Sequence, residues 1–160
     1  MGKIVATVKL TNATDKLAFE EGTKPEDAIR TYTMDMLADT GSVLLALPQD
    51  VVEHLGLKER TRMTFVLADD RRQTMPIAGP VFVEILGREM IADCVVLAPG
   101  SPPLLGLIVL ERLDLIPDPL NQRLTVRPES PLVPMRDLRS SDPHVMPRAH
   151  PVPGTATVSS

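Results

Sequence analysis

Ile4, Ala6, Val8 and Leu10 alternate with Lys3, Val5, Thr7 and Lys9, the period-2 pattern of a half-buried strand. The stretch 11–27 is mostly polar and holds Gly22 and Pro25, so it reads as a connecting loop with room for a short helical turn. Tyr32, Met34 and Met36 alternate toward Leu37-Ala38, a second strand that stops at Asp39-Thr40-Gly41. Val43 to Ala46 reads as a short buried strand. Pro48 suits a first helical turn, Val51, Val52 and Leu55 form the stripe of that helix, and Gly56 ends it.

Three further strands are expected at 64–67, 81–86 and 91–97, joined by the polar knot 69–73 and the pair Gly87-Arg88. Leu104-Leu105-Gly106 leads into a short helix with Leu107, Leu110 and Leu113 on one side. A turn at 118–121 then precedes a last strand, Arg123 to Val126. Many short strands with one or two short helices predict an all-β, closed, barrel-like domain over residues 1–127. From Pro128 the texture changes: seven prolines fall in the last 33 residues, and 128–160 reads as a Pro-rich flexible tail rather than a docking ligand.

Composition narrows the function classes. The 160 residues are 43% hydrophobic and 24% charged, which suits one globular unit. A net charge of −4 provides no domain-wide positive field for nucleic-acid phosphates or an anionic membrane. With no Trp, one Tyr and three Phe, base-stacking platforms are lacking too. One cysteine, Cys94, cannot form an internal disulfide, and His54, His144 and His150 are too scattered for a zinc-type cluster, so neither metal nor cofactor is expected. No signal-peptide pattern or membrane-length apolar run occurs, and the expected setting is soluble and cytoplasmic.

Asp39-Thr40-Gly41-Ser42 places a carboxylate at a strand end with apolar residues on both sides. An ionised carboxylate there needs hydrogen-bond compensation, which the Gly41 N–H and the Thr40 and Ser42 hydroxyls can supply. The same tripeptide also serves as a plain Asx-turn that reverses the chain. Asp69-Asp70-Arg71-Arg72 reads most simply as a solvated hairpin tip, and Cys94 as a small core residue. His54 reads as an exposed helix position, and Asp114 and Asp118 as helix-end and turn residues. Ser42 has no histidine placed as its base, which argues against a serine nucleophile.

Over residues 3–127 the chain resembles the retropepsin-like, retroviral-type (clan AA) single-domain aspartic proteases. The resemblance rests on Ala38-Asp39-Thr40-Gly41-Ser42 with Leu47-Pro48 and a helix ending Leu55-Gly56-Leu57. It continues in Val66-Leu67-Ala68-Asp69 entering a hairpin, then Pro103-Leu104-Leu105-Gly106 and the run from Leu110 to Leu115 before Asp118-Pro119. It implies that Asp39 is the catalytic aspartate and that Thr40, Gly41, Ser42, Leu105 and Gly106 support its loop, with the Ser42 hydroxyl donating to the carboxylate. Ala68, Asp69, Asp70 and Arg71 would form a substrate-binding flap, with Asp70 where the family commonly has glycine. It further implies a homodimer, because one Asp-Thr-Gly supplies one carboxylate, and a polypeptide substrate. The alternative from another class is an inactive dimerisation or peptide-binding module that keeps the same fold.

Overall fold

A computed structural model describes residues 3–129, 133–135 and 138. The chain is mostly β. In order come β1 (Val5–Asn12), α1 (Ala13–Glu20), a 3-10 turn (Glu26–Ala28), β2 (Thr31–Leu37), β3 (Ala46–Pro48), α2 (Gln49–Leu55), β4 (Lys58–Val66), β5 (Arg72–Ile85), β6 (Arg88–Leu97), α3 (Gly106–Arg112), β7 (Leu115–Asp118) and β8 (Arg123–Val126).

The main sheet runs β2-β1-β5-β6-β3, with β4 paired to β5, and β7 and β8 form a separate two-stranded sheet. The 14-residue β5 organises it: Arg72 to Gly79 pairs with β4, Val81 to Glu84 pairs with β1, and β6 lies along its other edge. Alternation in β1 is read correctly by the sequence, since Val8 and Leu10 are fully buried while Val5, Thr7 and Lys9 are exposed. Val8, Leu10, Met36, Leu47, Leu55, Val81, Val83 and Ile85 build the main core with Leu105, Val109 and Leu113.

The sheet does not close into a barrel. Among the described residues, only Leu104 stands between its terminal strands β2 and β3, bridged parallel to Leu37 and antiparallel to Ala46. Pro102 and Pro103 cannot donate to a ladder, and α3 begins two residues after Leu104, so this segment has no room to become a strand.

Among the described residues three α-helices stand where one or two were expected. The additional one, α1, occupies much of the predicted loop. The Asn12 side chain accepts from the Asp15 N–H at 3.0 Å, capping its start. It buries Ala13 and Asp15, and the Asp15 carboxylate accepts from Arg30 and Lys24. The expected strand at 43–46 begins only at Ala46, and β7 was not foreseen. The helix after Pro48 agrees with expectation: Val51, Val52 and Leu55 are buried, and Gly56 caps it at φ 66°.

Most of 128–160 lies outside the described residues. Where the chain is described beyond β8, it returns to the body. The Met135 N–H donates to the Asp114 carboxylate at 3.3 Å, and Arg127 Nε donates to its other oxygen at 2.5 Å. Asp114, expected to be an ordinary helix-end residue, is 4% exposed and adopts φ 56°. Arg88 Nη1 donates to its carbonyl and to that of Leu113.

Candidate active site

The loop bearing Asp39 hangs between two strands and is fastened from behind. The Ala38 N–H donates to the Ile4 carbonyl at 2.8 Å, holding the loop entrance to the segment before β1. The Leu37 N–H donates to Pro103, and the Leu105 N–H donates back to Leu37 at 2.9 Å. Leu104 and Ala46 exchange both backbone hydrogen bonds, each at 2.9 Å. Leu104 is therefore threaded between the strand that delivers Asp39 and the strand that leaves it.

The first turn of α3 completes the support. The Leu107 N–H donates to the Ser42 carbonyl at 2.7 Å and the Ile108 N–H to the Val43 carbonyl at 3.0 Å. These N–H groups have no partner within their helix, so the loop is held by donors that α3 leaves available at its start. Gly106 makes this approach possible. Its φ is +74°, and a Cβ there would stand 2.5 Å from the Leu44 carbonyl oxygen, closer than any side chain tolerates.

Within the loop, the Gly41 N–H donates to Asp39 Oδ1 at 2.9 Å, and the Ser42 N–H to the Asp39 carbonyl at 3.2 Å. Asp39 is half-buried, and Thr40 and Gly41 are exposed. The carboxylate thus keeps one oxygen on the backbone and the other available. Asp39 is one of the residues lining an open groove of about 370 Å³ whose walls also include Lys3, Ile4, Thr40, Pro117 and Pro119.

Ser42 does not act as the resemblance implies. Its hydroxyl donates to the Leu44 carbonyl at 3.2 Å, so its one proton braces the loop exit and is not available to Asp39.

Ala68, Asp69, Asp70 and Arg71 all fall in the turn between β4 and β5. The Leu67 N–H donates to the Arg71 carbonyl at 2.7 Å, and the Asp70 N–H to the Leu67 carbonyl at 2.9 Å. Asp69 accepts from the Arg71 N–H at 3.2 Å and from Arg71 Nε at 2.5 Å. Asp70 adopts φ 65°, a left-handed conformation that glycine takes freely and aspartate tolerates. The tip is exposed and closed upon itself by these bonds.

The arm of β4 and β5 packs against the Asp39 supports. Phe65 and Met75 from the arm, with Leu44, Leu97 and Leu104 from the body, pack on buried Ala46, Ile77 and Val95. A second small core therefore connects the hairpin to the residues that carry the loop.

The sequence brings together Asp39, Thr40, Gly41, Ser42, Leu105 and Gly106 at one place, with the hairpin joined to it through this core. It did not reveal that Leu107 and Ile108 hold the loop carbonyls, or that Pro117 and Pro119 wall the groove. Backbone donors carry no residue signature, and only Gly106 opening a helix hinted at the close approach.

Other polar candidates have structural duties. Cys94 is buried, and burial, reinforced by the charge of Asp93, pushes its thiol up to about 12, so it is no nucleophile at neutral pH. His54 is exposed and meets the Tyr32 ring edge-on at 5.0 Å. Asp118 accepts from the Asn121 side chain, which holds its carboxyl below the usual range. Among the described residues no cluster of histidine, cysteine and carboxylate side chains suits a metal ion, and no helix is long and apolar enough to cross a membrane. No protein-family model and no curated protein matches this chain, so the functional argument rests on the geometry of the Asp39 loop.

Proposed function

We propose that this chain is an aspartic endopeptidase of the retropepsin-like type, working as a cytoplasmic homodimer in which two Asp39 carboxylates share one water. The observation that carries the reading is the suspension of the loop: Leu104 is threaded between Leu37 and Ala46 while the Gly41 N–H fixes one oxygen of Asp39. A turn that merely reversed the chain would need neither the thread nor the α3 donors.

The chemistry needs two carboxyl groups in opposite protonation states. One ionised Asp39 takes a proton from the water as its oxygen attacks the scissile carbonyl carbon, while the other, protonated, gives its proton to the carbonyl oxygen. The tetrahedral diol then collapses, the C–N bond breaks, and the amine leaves with a proton from the dyad. Two like charges this close hold one proton between them and titrate as a unit, the behaviour for which aspartic proteases are the standard example. Thr40 would brace the two loops across the twofold axis, and the hairpin carrying Ala68, Asp69, Asp70 and Arg71 would cover an extended polypeptide.

Asp39→Asn tests the reading, being nearly isosteric and leaving the Gly41 donor an oxygen to meet. The expected result is loss of peptide cleavage by about four orders of magnitude or more, with thermal unfolding and dimer mass unchanged. Specific activity of the unmutated protein should also rise with concentration until the dimer saturates. Undiminished cleavage by Asp39→Asn would move the chemistry elsewhere, and an unmutated dimer that cuts no peptide would favour the binding-module alternative.

A further inference from the structure

α3 spans seven residues, Gly106–Arg112, about 10 Å at 1.5 Å per residue. A helix this short does not persist on its own propensity and depends on what holds its ends. Its opening N–H groups, at Leu107 and Ile108, go to the Ser42 and Val43 carbonyls of the Asp39 loop. Its closing end is held by an arginine. Arg88, the first residue of β6, is delivered there by a turn in which Leu86 and Gly87 both take left-handed backbone, at φ 52° and 79°. The side chain is buried, and its Nη1 donates to the Leu113 carbonyl at 2.9 Å and to the Asp114 carbonyl at 3.1 Å. Leu113 is the C-cap of α3, and Asp114 turns the chain away at φ 56°.

Resting on the peptidase reading above, we infer that Arg88 is a positioning residue for Asp39, acting through α3. Burying a guanidinium is costly in lost hydration, and an apolar side chain would fill the same space without that cost. What an apolar side chain lacks is a donor for the carbonyls at the helix end, which the helix itself leaves unsatisfied. A cation there also complements the partial negative charge of those carbonyls. The helix transmits position because its internal hydrogen bonds fix its length, so displacement of the held end carries the Leu107 and Ile108 N–H groups with it. Their bonds to the loop, 2.7 and 3.0 Å long, leave hydrogen-bond range after a shift of about 1 Å. The close approach at Gly106 stops α3 from advancing on the loop, and the grip of Arg88 keeps it from drifting away. A reacting group misplaced by about 1 Å can cost about a hundredfold in rate, so Asp39 needs both limits.

The test compares the full-length unmutated chain with Arg88→Met, an unbranched apolar side chain without a donor, and with Arg88→Lys, whose Nζ can stand in for Nη1. Amide hydrogen exchange reads the helix directly. In Arg88→Met the Leu107 and Ile108 amides should exchange about tenfold faster or more, beyond any change at the Leu57 amide, which bonds to the Val52 carbonyl of α2. At concentrations that saturate the dimer, and well below each melting midpoint, kcat should fall about tenfold or more with KM within about twofold. Arg88→Lys should recover most of both. If Arg88→Met does not fold, Arg88→Gln, too short to reach both carbonyls, takes its place in the same comparison. Equal acceleration at all three amides with kcat unmoved would reduce Arg88 to general stability and overturn the inference. Local acceleration at Leu107 and Ile108, in a protein whose unmutated chain cuts no peptide, would overturn the peptidase reading and with it any part of Arg88 in catalysis, leaving its hold on α3.

Discussion

The Ser42 hydroxyl has one proton to give, and it goes to the Leu44 carbonyl. Under the proposed reading, removing it by Ser42→Ala should leave the acidic limb of a pH profile of kcat/KM where it is; on any reading it should lower stability by about 1 kcal/mol, read from urea unfolding. A raised acidic limb would mean that the hydroxyl turns to Asp39 in the working enzyme. Asp15 offers a clearer electrostatic signature. The Arg30 side chain, its first partner, and Lys24 hold the Asp15 carboxyl well below the usual carboxylate range, against the opposing pull of burial. A carboxyl whose folded value is depressed binds fewer protons folded than unfolded near that range. Its stabilisation is therefore complete above the ordinary carboxylate value near 4 and declines as pH falls below it. Asp15→Asn should cost about 2 to 3 kcal/mol at pH 7, reduced by the partial exposure of both cations, and markedly less at pH 2. Unfolding midpoints at the two pH values check this; an equal loss at both would place the effect in packing. Both residues show what a sequence hides, since which acceptor a hydroxyl chooses, and whether a carboxylate is buried, depend on distant chain.

Elements were legible where burial follows a simple period. α2 announces itself through Pro48, the stripe Val51, Val52 and Leu55, and Gly56, and β8 falls at Arg123–Val126, where the sequence places a last strand after the turn at 118–121. α1 was missed because its anchor is ionic: Ala13 and Asp15 are its buried residues, while Leu17 and Phe19 remain exposed. The first six residues of β4 were missed for a related reason. Every residue from Lys58 to Thr64 is exposed, so no alternation exists to be read, and the strand is held by pairing with β5. α3 was legible by its leucines but not by its role. Gly106→Ala would force a Cβ onto the Leu44 carbonyl at a left-handed backbone position. It should destabilise the fold by about 2 to 4 kcal/mol in urea titration, the sum of strain and overpacking. A loss below about 0.5 kcal/mol would show that α3 can retreat from the loop without consequence.

At the scale of the molecule, composition suggests a folded body followed by a Pro-rich tail, most of which lies outside the described residues, and it gives no sign of the return of the chain to Asp114. Among the described residues the Met135 backbone N–H makes that contact, and no apolar period advertises it. Truncation after Glu129 removes the Met135 hydrogen bond to a carboxylate that keeps Arg127. Cooperative unfolding should persist, with stability lowered by about 2 kcal/mol. A broad, non-cooperative melt of the shortened chain would instead make the residues beyond 129 part of the core.

Asp39 stands half-buried at an open groove, with exposed Thr40 and Gly41 beside it, and each chain has one such loop. Under the proposed reading this has a genetic meaning. A defective copy that still folds is a poison and not merely a loss, because it captures intact chains in mixed pairs that hold one acid. In a cell making both in equal amounts, only about a quarter of randomly formed pairs would be whole. Inheritance of an inactivating change at Asp39 would therefore be dominant, whereas a change that prevents folding would be recessive, since unfolded chains recruit no one.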